Sequence, residues 1–191
     1  MSHFTTVNAE IKDLEAMRAA VARMGFELKE NVECRYFSGS PVKELVIILP
    51  GKYDAALEKQ KEGTYKISAD FWGGHVAEYI GEEGKKLMQA YAAEKAKIEA
   101  RKRGFSVTER TEGNDLLLSI RDSQGGTLKA WIGPDGQTTF QPSGIKGKSC
   151  MKFMELEKAL GAVEEHMVTG DYYAEDKVQQ EISIKGHFLC G

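Results

Sequence analysis

Residues 44–74, ELVIILPGKYDAALEKQKEGTYKISADFWGG, leave the chain few ways to fold. Leu45, Val46, Ile47, Ile48 and Leu49 form the longest apolar run, stopped by Pro50-Gly51, and read as a central strand. Tyr53, Ala55 and Leu57 then alternate with Asp54, Ala56 and Glu58, and Tyr65, Ile67, Ala69 and Phe71 alternate with Lys66, Ser68 and Asp70. A period of two is the mark of strands with one buried face, and the polar link Lys61-Glu62-Gly63 joins the two as a hairpin. The stretch therefore specifies an antiparallel sheet, and it exits through Phe71-Trp72-Gly73-Gly74-His75, too glycine-rich for a strand and too aromatic for an idle loop.

Helices flank this core. Asp13 is placed to cap a helix from Leu14 to Met24, with Leu14, Met17, Val21 and Met24 on one stripe and Gly25 as its stop. Phe26, Leu28, Val32, Cys34 and Tyr36 share one parity of a long strand, which ends in the turn Ser38-Gly39-Ser40-Pro41. Residues 82–103, rich in Ala, Glu and Lys, form a long helix with Leu87, Tyr91, Glu94 and Ile98 along one line, an apolar side narrow enough to leave the helix mostly solvated. Two strands follow around Glu112-Gly113-Asn114. The joints Arg23-Met24-Gly25-Phe26 and Arg103-Gly104-Phe105 echo each other, either as a duplicated helix–strand unit or as two instances of a common joint.

The best linker is 123–126, so the expected division is an antiparallel domain over 1–122, a small ββαβ module over 127–173 that either packs by itself or extends the first sheet, and a tail over 174–191. In the module Ser149 is the expected N-cap of a helix carrying Phe153, Leu156, Leu160 and Val163, with a strand at 164–168. The fold class is α+β: a mainly antiparallel sheet flanked by two helices, plus a hairpin-helix-strand module.

Composition excludes several functions. The 191 residues carry 26 Lys and Arg against 29 Asp and Glu, interspersed, which denies the chain the basic stripe a general nucleic-acid binder needs to displace counterions from phosphate. No apolar run approaches the ~20 residues of a membrane span, and no basic-then-apolar leader opens the chain, so a cytoplasmic protein is expected. Three widely spaced cysteines, Cys34, Cys150 and Cys190, are expected to be reduced thiols.

Few residues carry chemistry. Residues 144–149 end in Gly147-Lys148-Ser149 like a phosphate loop, but Pro142 stands where that motif needs its first glycine, and proline has no N–H to offer a phosphate. A weaker form remains, in which Lys146, Lys148 and Ser149 at a helix start hold an anion; the plainer reading is a glycine-rich turn closed by a serine. Cys150, just inside that helix beside Lys148, is a redox candidate if exposed and an ordinary small core residue if buried. His3, His75, His166 and His187 are scattered and no CxxC pair exists, so neither a metal nor any other cofactor is expected, and no catalytic constellation is evident. Trp72, with His75 beside it, has either of two roles: an exposed anchor for a partner protein, or a side chain covered by the long helix folding back.

Two resemblances add to this. The opening Met1-Ser2-His3-Phe4-Thr5-Thr6, the turn Gly51-Lys52-Tyr53-Asp54, and the hairpin with Gly63-Thr64-Tyr65 and Ala69-Asp70-Phe71-Trp72-Gly73 resemble the chloroplast hypothetical reading-frame thirty-five family of cyanobacteria, algal plastids and other bacteria, over about residues 1–121. Pro134-Asp135-Gly136, residues 144–150 and Asp171-Tyr172-Tyr173 look like a second small family of unknown function, here fused to the first. Relatives are encoded near small iron–sulfur ferredoxins or near AAA-type ATPases. The resemblance thus implies a non-enzymatic accessory or adaptor protein with a ferredoxin-like protein or an AAA-type ATPase as partner. It carries over no catalytic residue. The alternative is a small-ligand or phosphate-group binder using the loop at 144–149.

Overall fold

The computed structural model describes residues 5–7, 11–145 and 148–160. The fold is α+β and every strand pairing in it is antiparallel, in two sheets that belong to two compact units. One unit spans residues 9–95 with 134–136; the other takes 1–8, 96–133 and 137–191.

The first unit opens with helix α1, Leu14–Arg23. The Asp13 carboxylate accepts the Ala16 N–H at 3.1 Å, as its position in the sequence requires. The buried stripe is Ala16, Met17, Ala20 and Val21 rather than the expected Leu14, Met17, Val21 and Met24. After α1 come β2 (Glu27–Glu33), β3 (Val42–Ile48), β4 (Ala55–Lys59) and β5 (Tyr65–Ala69), a meander in which each strand pairs with the next. The apolar run lies on β3, an inner strand, with Leu45, Val46 and Ile47 all buried. Gly63, at φ 80°, closes the β4–β5 hairpin, and Gln60 N–H donates to Thr64 O at 2.7 Å. Helix α2 (Ala77–Ile80) leads into α3 (Lys85–Lys102).

Helix α3 is not the solvated helix its charge suggests. Leu87, Ala90, Tyr91, Ala92, Ala93, Ala96 and Ala100 are all buried. Alanine adds little hydropathy but lets a helix approach its neighbours closely, so a face built from alanines disappears from a reading that weighs only large side chains. Tyr91 also does polar work: its hydroxyl accepts the N–H groups of Lys12 and Asp13 at 3.0 and 3.1 Å, pinning the start of α1 to α3.

The second unit carries β6 (Ser106–Glu112), β7 (Asp115–Arg121), β8 (Thr127–Ile132), β9 (Thr138–Ser143) and helix α4 (Lys148–Ala159). β1, Thr5–Val7, pairs with β9, giving the sheet order β1-β9-β8-β7-β6. Its core face is Leu118, Ile120, Leu128, Ala130, Ile132 and Phe140, all at or below 1 % exposure, and Phe105 stacks on Phe153 of α4 at 4.4 Å.

Residues 123–126, read from sequence as a linker between domains, form the tight turn of the β7–β8 hairpin. Asp122 Oδ1 accepts the N–H groups of Gln124 and Gly126 at 2.9 and 2.8 Å, and the strands on either side pair in register from Arg121↔Thr127 to Leu116↔Ile132. Asp122-Ser123-Gln124-Gly125-Gly126 describes a turn as well as a linker, and only the pairing of the flanking strands distinguishes the two. Strands β8 and β9 neither form a sheet of their own nor extend that of β2 to β5; they share the second sheet with β1, β6 and β7, strands from the other side of that turn. The expected strand at 164–168, Val163 and the tail lie outside the described residues.

Candidate functional site

The residues at the exit of β5 are built to hold a tryptophan away from the protein. Asp70 Oδ1 accepts the Trp72 N–H at 3.1 Å, which breaks the strand in an Asx turn. Gly73 and Gly74 follow at φ 72° and 77°, a left-handed pair that a β-branched or bulky residue resists. The result is a single 3-10 turn, Trp72–Gly74, with the indole 78 % exposed. The long helix does not cover it.

Phe37, in the loop between β2 and β3, is the residue the sequence reading missed. It was legible only as the last aromatic of an alternating strand, but β2 ends at Glu33 and the chain then turns tightly. Cys34 N–H donates to Pro41 O at 2.9 Å and Tyr36 N–H to Gly39 O at 2.9 Å, so Phe37 sits at the tip, 74 % exposed. Its ring centroid lies 6.5 Å from that of Trp72, tilted by 56°. Phe37, Trp72 and Val42, at the foot of the same hairpin, are the large hydrophobics that stand exposed among the described residues. Scattered exposed apolar side chains need no explanation; two large aromatics from separate hairpins brought together do.

A stiff base lies beneath the loop. Asp54, 1 % exposed, takes Arg35 Nε and Nη2 at 2.7 Å each, together with the backbone N–H groups of Arg35 (3.1 Å) and Leu49 (3.0 Å). The guanidinium also donates to the carbonyls of Leu49 and Gly51 at 2.7 and 2.9 Å. Burial alone would push the Asp54 carboxyl up; the Arg35 guanidinium and the two backbone donors outweigh it and hold the group below its ordinary value. This fork-to-fork pair ties residues 49–54 to the residue two before Phe37. Cys34, Val46 and Ala56 form a small core below, with Val32, Tyr36 and Ile48 packed on it. Burial pushes the Cys34 thiol up, and burial together with its hydrogen bond to Cys34 pushes Tyr36 to about 12. This small core, with its thiol and phenol both held in the neutral form, packs beneath the loop that carries Phe37.

The remaining candidates do not converge here. His75 is half-buried, its ring edge-on to Tyr53 at 5.5 Å. Lys146 lies outside the described residues, as does the side chain of Lys148. Ser149 is not the N-cap: α4 already begins at Lys148, and the Ser149 hydroxyl, 8 % exposed, reaches Gln124 Oε1 at 3.5 Å. Cys150 is 7 % exposed, and Cys34 is buried and free. Among the described residues no group of His, Cys, Asp and Glu is arranged to hold a metal ion, and no helix is long and apolar enough to cross a membrane.

Residues 20–120 match the family model described as "Protein of unknown function (DUF1257)", and residues 128–173 match that described as "Protein of unknown function (DUF2997)". No curated protein and no solved structure matches the chain.

Proposed function

The chain belongs to the DUF1257 family of proteins of unknown function, and from that premise we propose that it is a non-enzymatic accessory protein that binds a partner protein through the Phe37–Trp72 surface. The observation that carries this reading is the pairing of two aromatics, each about three-quarters exposed, on turns whose backbones are held by hydrogen bonds. Tryptophan is the side chain that most often dominates a protein interface, because it buries much area at little conformational cost, and a rigid mount reduces that cost further. The resemblance to the plastid reading-frame family supports a ferredoxin-like protein or an AAA-type ATPase as that partner, in the cytoplasm.

Affinity purification of the tagged chain from its native host, with quantitative mass spectrometry, tests the proposal. The double variant Phe37→Ala/Trp72→Ala should lose a specific partner tenfold or more, since one hot-spot residue is worth about 2 kcal/mol. Recovery of every partner in unchanged amount would refute it.

A further inference from the structure

The boundaries of the two matched families do not follow the sheets. The DUF1257 match ends at residue 120 and the DUF2997 match begins at 128, either side of the β7–β8 turn. Yet β8 and β9, from the second segment, lie between β7 and β1, from the rest of the chain. β8 pairs with β7 in register from Leu116↔Ile132 to Arg121↔Thr127, with Leu118↔Ala130 and Ile120↔Leu128 as buried pairs, and β1 pairs on the far side through Thr5↔Phe140. The core is shared in the same way: Phe105, Leu118 and Ile120 come from the first segment; Leu128, Ala130, Phe140 and Phe153 come from the second. Two segments that split one hydrophobic core resemble an obligate interface more than two domains on a linker. Their joint is a hairpin turn with Ser123, Gln124 and Gly125 exposed, on which pairing makes no demand beyond proximity.

We propose that the β8–β9 hairpin is a strand-donating module that adds to the edge of β7 by main-chain pairing and takes β1 on its far side, and that the covalent link at 123–126 is dispensable for this. The β7 edge is then an interaction surface with a defined occupant. The partner it fits is a small DUF2997-type chain presenting the alternation Leu128-Lys129-Ala130-Trp131-Ile132, one parity buried and the other half-buried. A DUF1257 chain lacking such a segment would expose the β7 edge, with its unpaired N–H and C=O groups, until that partner arrived. The inference concerns a different unit from the aromatic pair and does not depend on it.

The test is a full-length protein with a specific protease site inserted between Gln124 and Gly125, folded and then cut. The two pieces should co-elute as one particle. The urea midpoint of the cut protein should rise with protein concentration while that of the uncut protein does not, and removal of urea should return a one-to-one complex. In the cut protein Ala130→Lys, on the buried parity, should abolish co-elution, and Lys129→Ala, on the other parity, should leave it intact. Separation of the pieces under native conditions, failure to recombine, or co-elution that survives Ala130→Lys would overturn the proposal.

Discussion

Helices α1 and α3 end alike, and the chain does different things afterwards. Gly25 and Gly104 stand at φ 81° and 80°. In both joints the glycine N–H reaches back three residues at 3.0 Å and the next phenylalanine N–H reaches back five at 3.0 Å. Each joint feeds the edge strand of a four-strand meander in chain order, β2 to β5 in one unit and β6 to β9 in the other. The sequence echo thus marks a repeated topology as well as a repeated joint. The difference lies in how each meander is held. In the five-stranded sheet, β8 alternates half-buried and buried residues without a break, and Phe105 on Phe153 anchors the core. In the four-stranded sheet alternation fails: Asn31 interrupts β2 at φ 53°, β3 is buried on successive residues, and an ion pair fixes the loops. One unit is organised by apolar packing and the other, at its loop end, by charge, and the charge-braced end is the one that presents the aromatic pair.

That contrast can be tested by substitution. Phe153→Ala, removing a fully buried ring from the five-stranded unit, should cost about 3–5 kcal/mol in urea unfolding. Arg35→Met in the other unit should cost about 3 kcal/mol, because it strands the buried Asp54 carboxylate. If Arg35→Met proves neutral, the ion pair does not brace the loops. The two effects should also separate with pH. The folded-state pKa of Asp54 is depressed, so the contribution of the pair is present above the ordinary carboxylate range near about 4 and is lost as pH falls through the folded value. The gap between wild type and Arg35→Met should therefore close in acid, while the gap for Phe153→Ala should persist. Gly25→Ala and Gly104→Ala should each cost about 1–2 kcal/mol, equally. Neither added Cβ meets any atom within 4 Å, so the whole effect is backbone strain, and unequal costs would break the equivalence of the joints. Trp72→Ala should move stability by less than about 0.5 kcal/mol, since the side chain is exposed; a larger loss would give the indole a packing role and weaken its reading as an anchor.

Much of the local structure was legible. The Asp13 cap, the glycine stops, the inner strand at 45–49, the β4–β5 hairpin and the turn at Gly113-Asn114 all follow from steric and hydrogen-bonding rules that act over a few residues. Trp72 stood out for the same reason, as an aromatic that no strand or helix pattern accounted for. Phe37 did not, because nothing near it in sequence shows that the strand stops at Glu33 instead of running on. The alanine face of α3 was also hidden, since its burial depends on how closely other elements approach rather than on hydropathy.

By itself, then, the sequence determined most of the strands, helices and turns, because those choices are settled by the period of apolar residues and by the few residues able to cap, turn or stop a chain; it left open where β2 ends and whether 123–126 is a turn or a linker. Only the tertiary structure decided that β7 and β8 share a sheet across an apparent linker, that Arg35 meets Asp54 and that Phe37 meets Trp72. The physical reason is that hydrogen-bonded pairing and ring contact depend on distance in space, and residues 19 or 35 positions apart carry no local signal of that proximity.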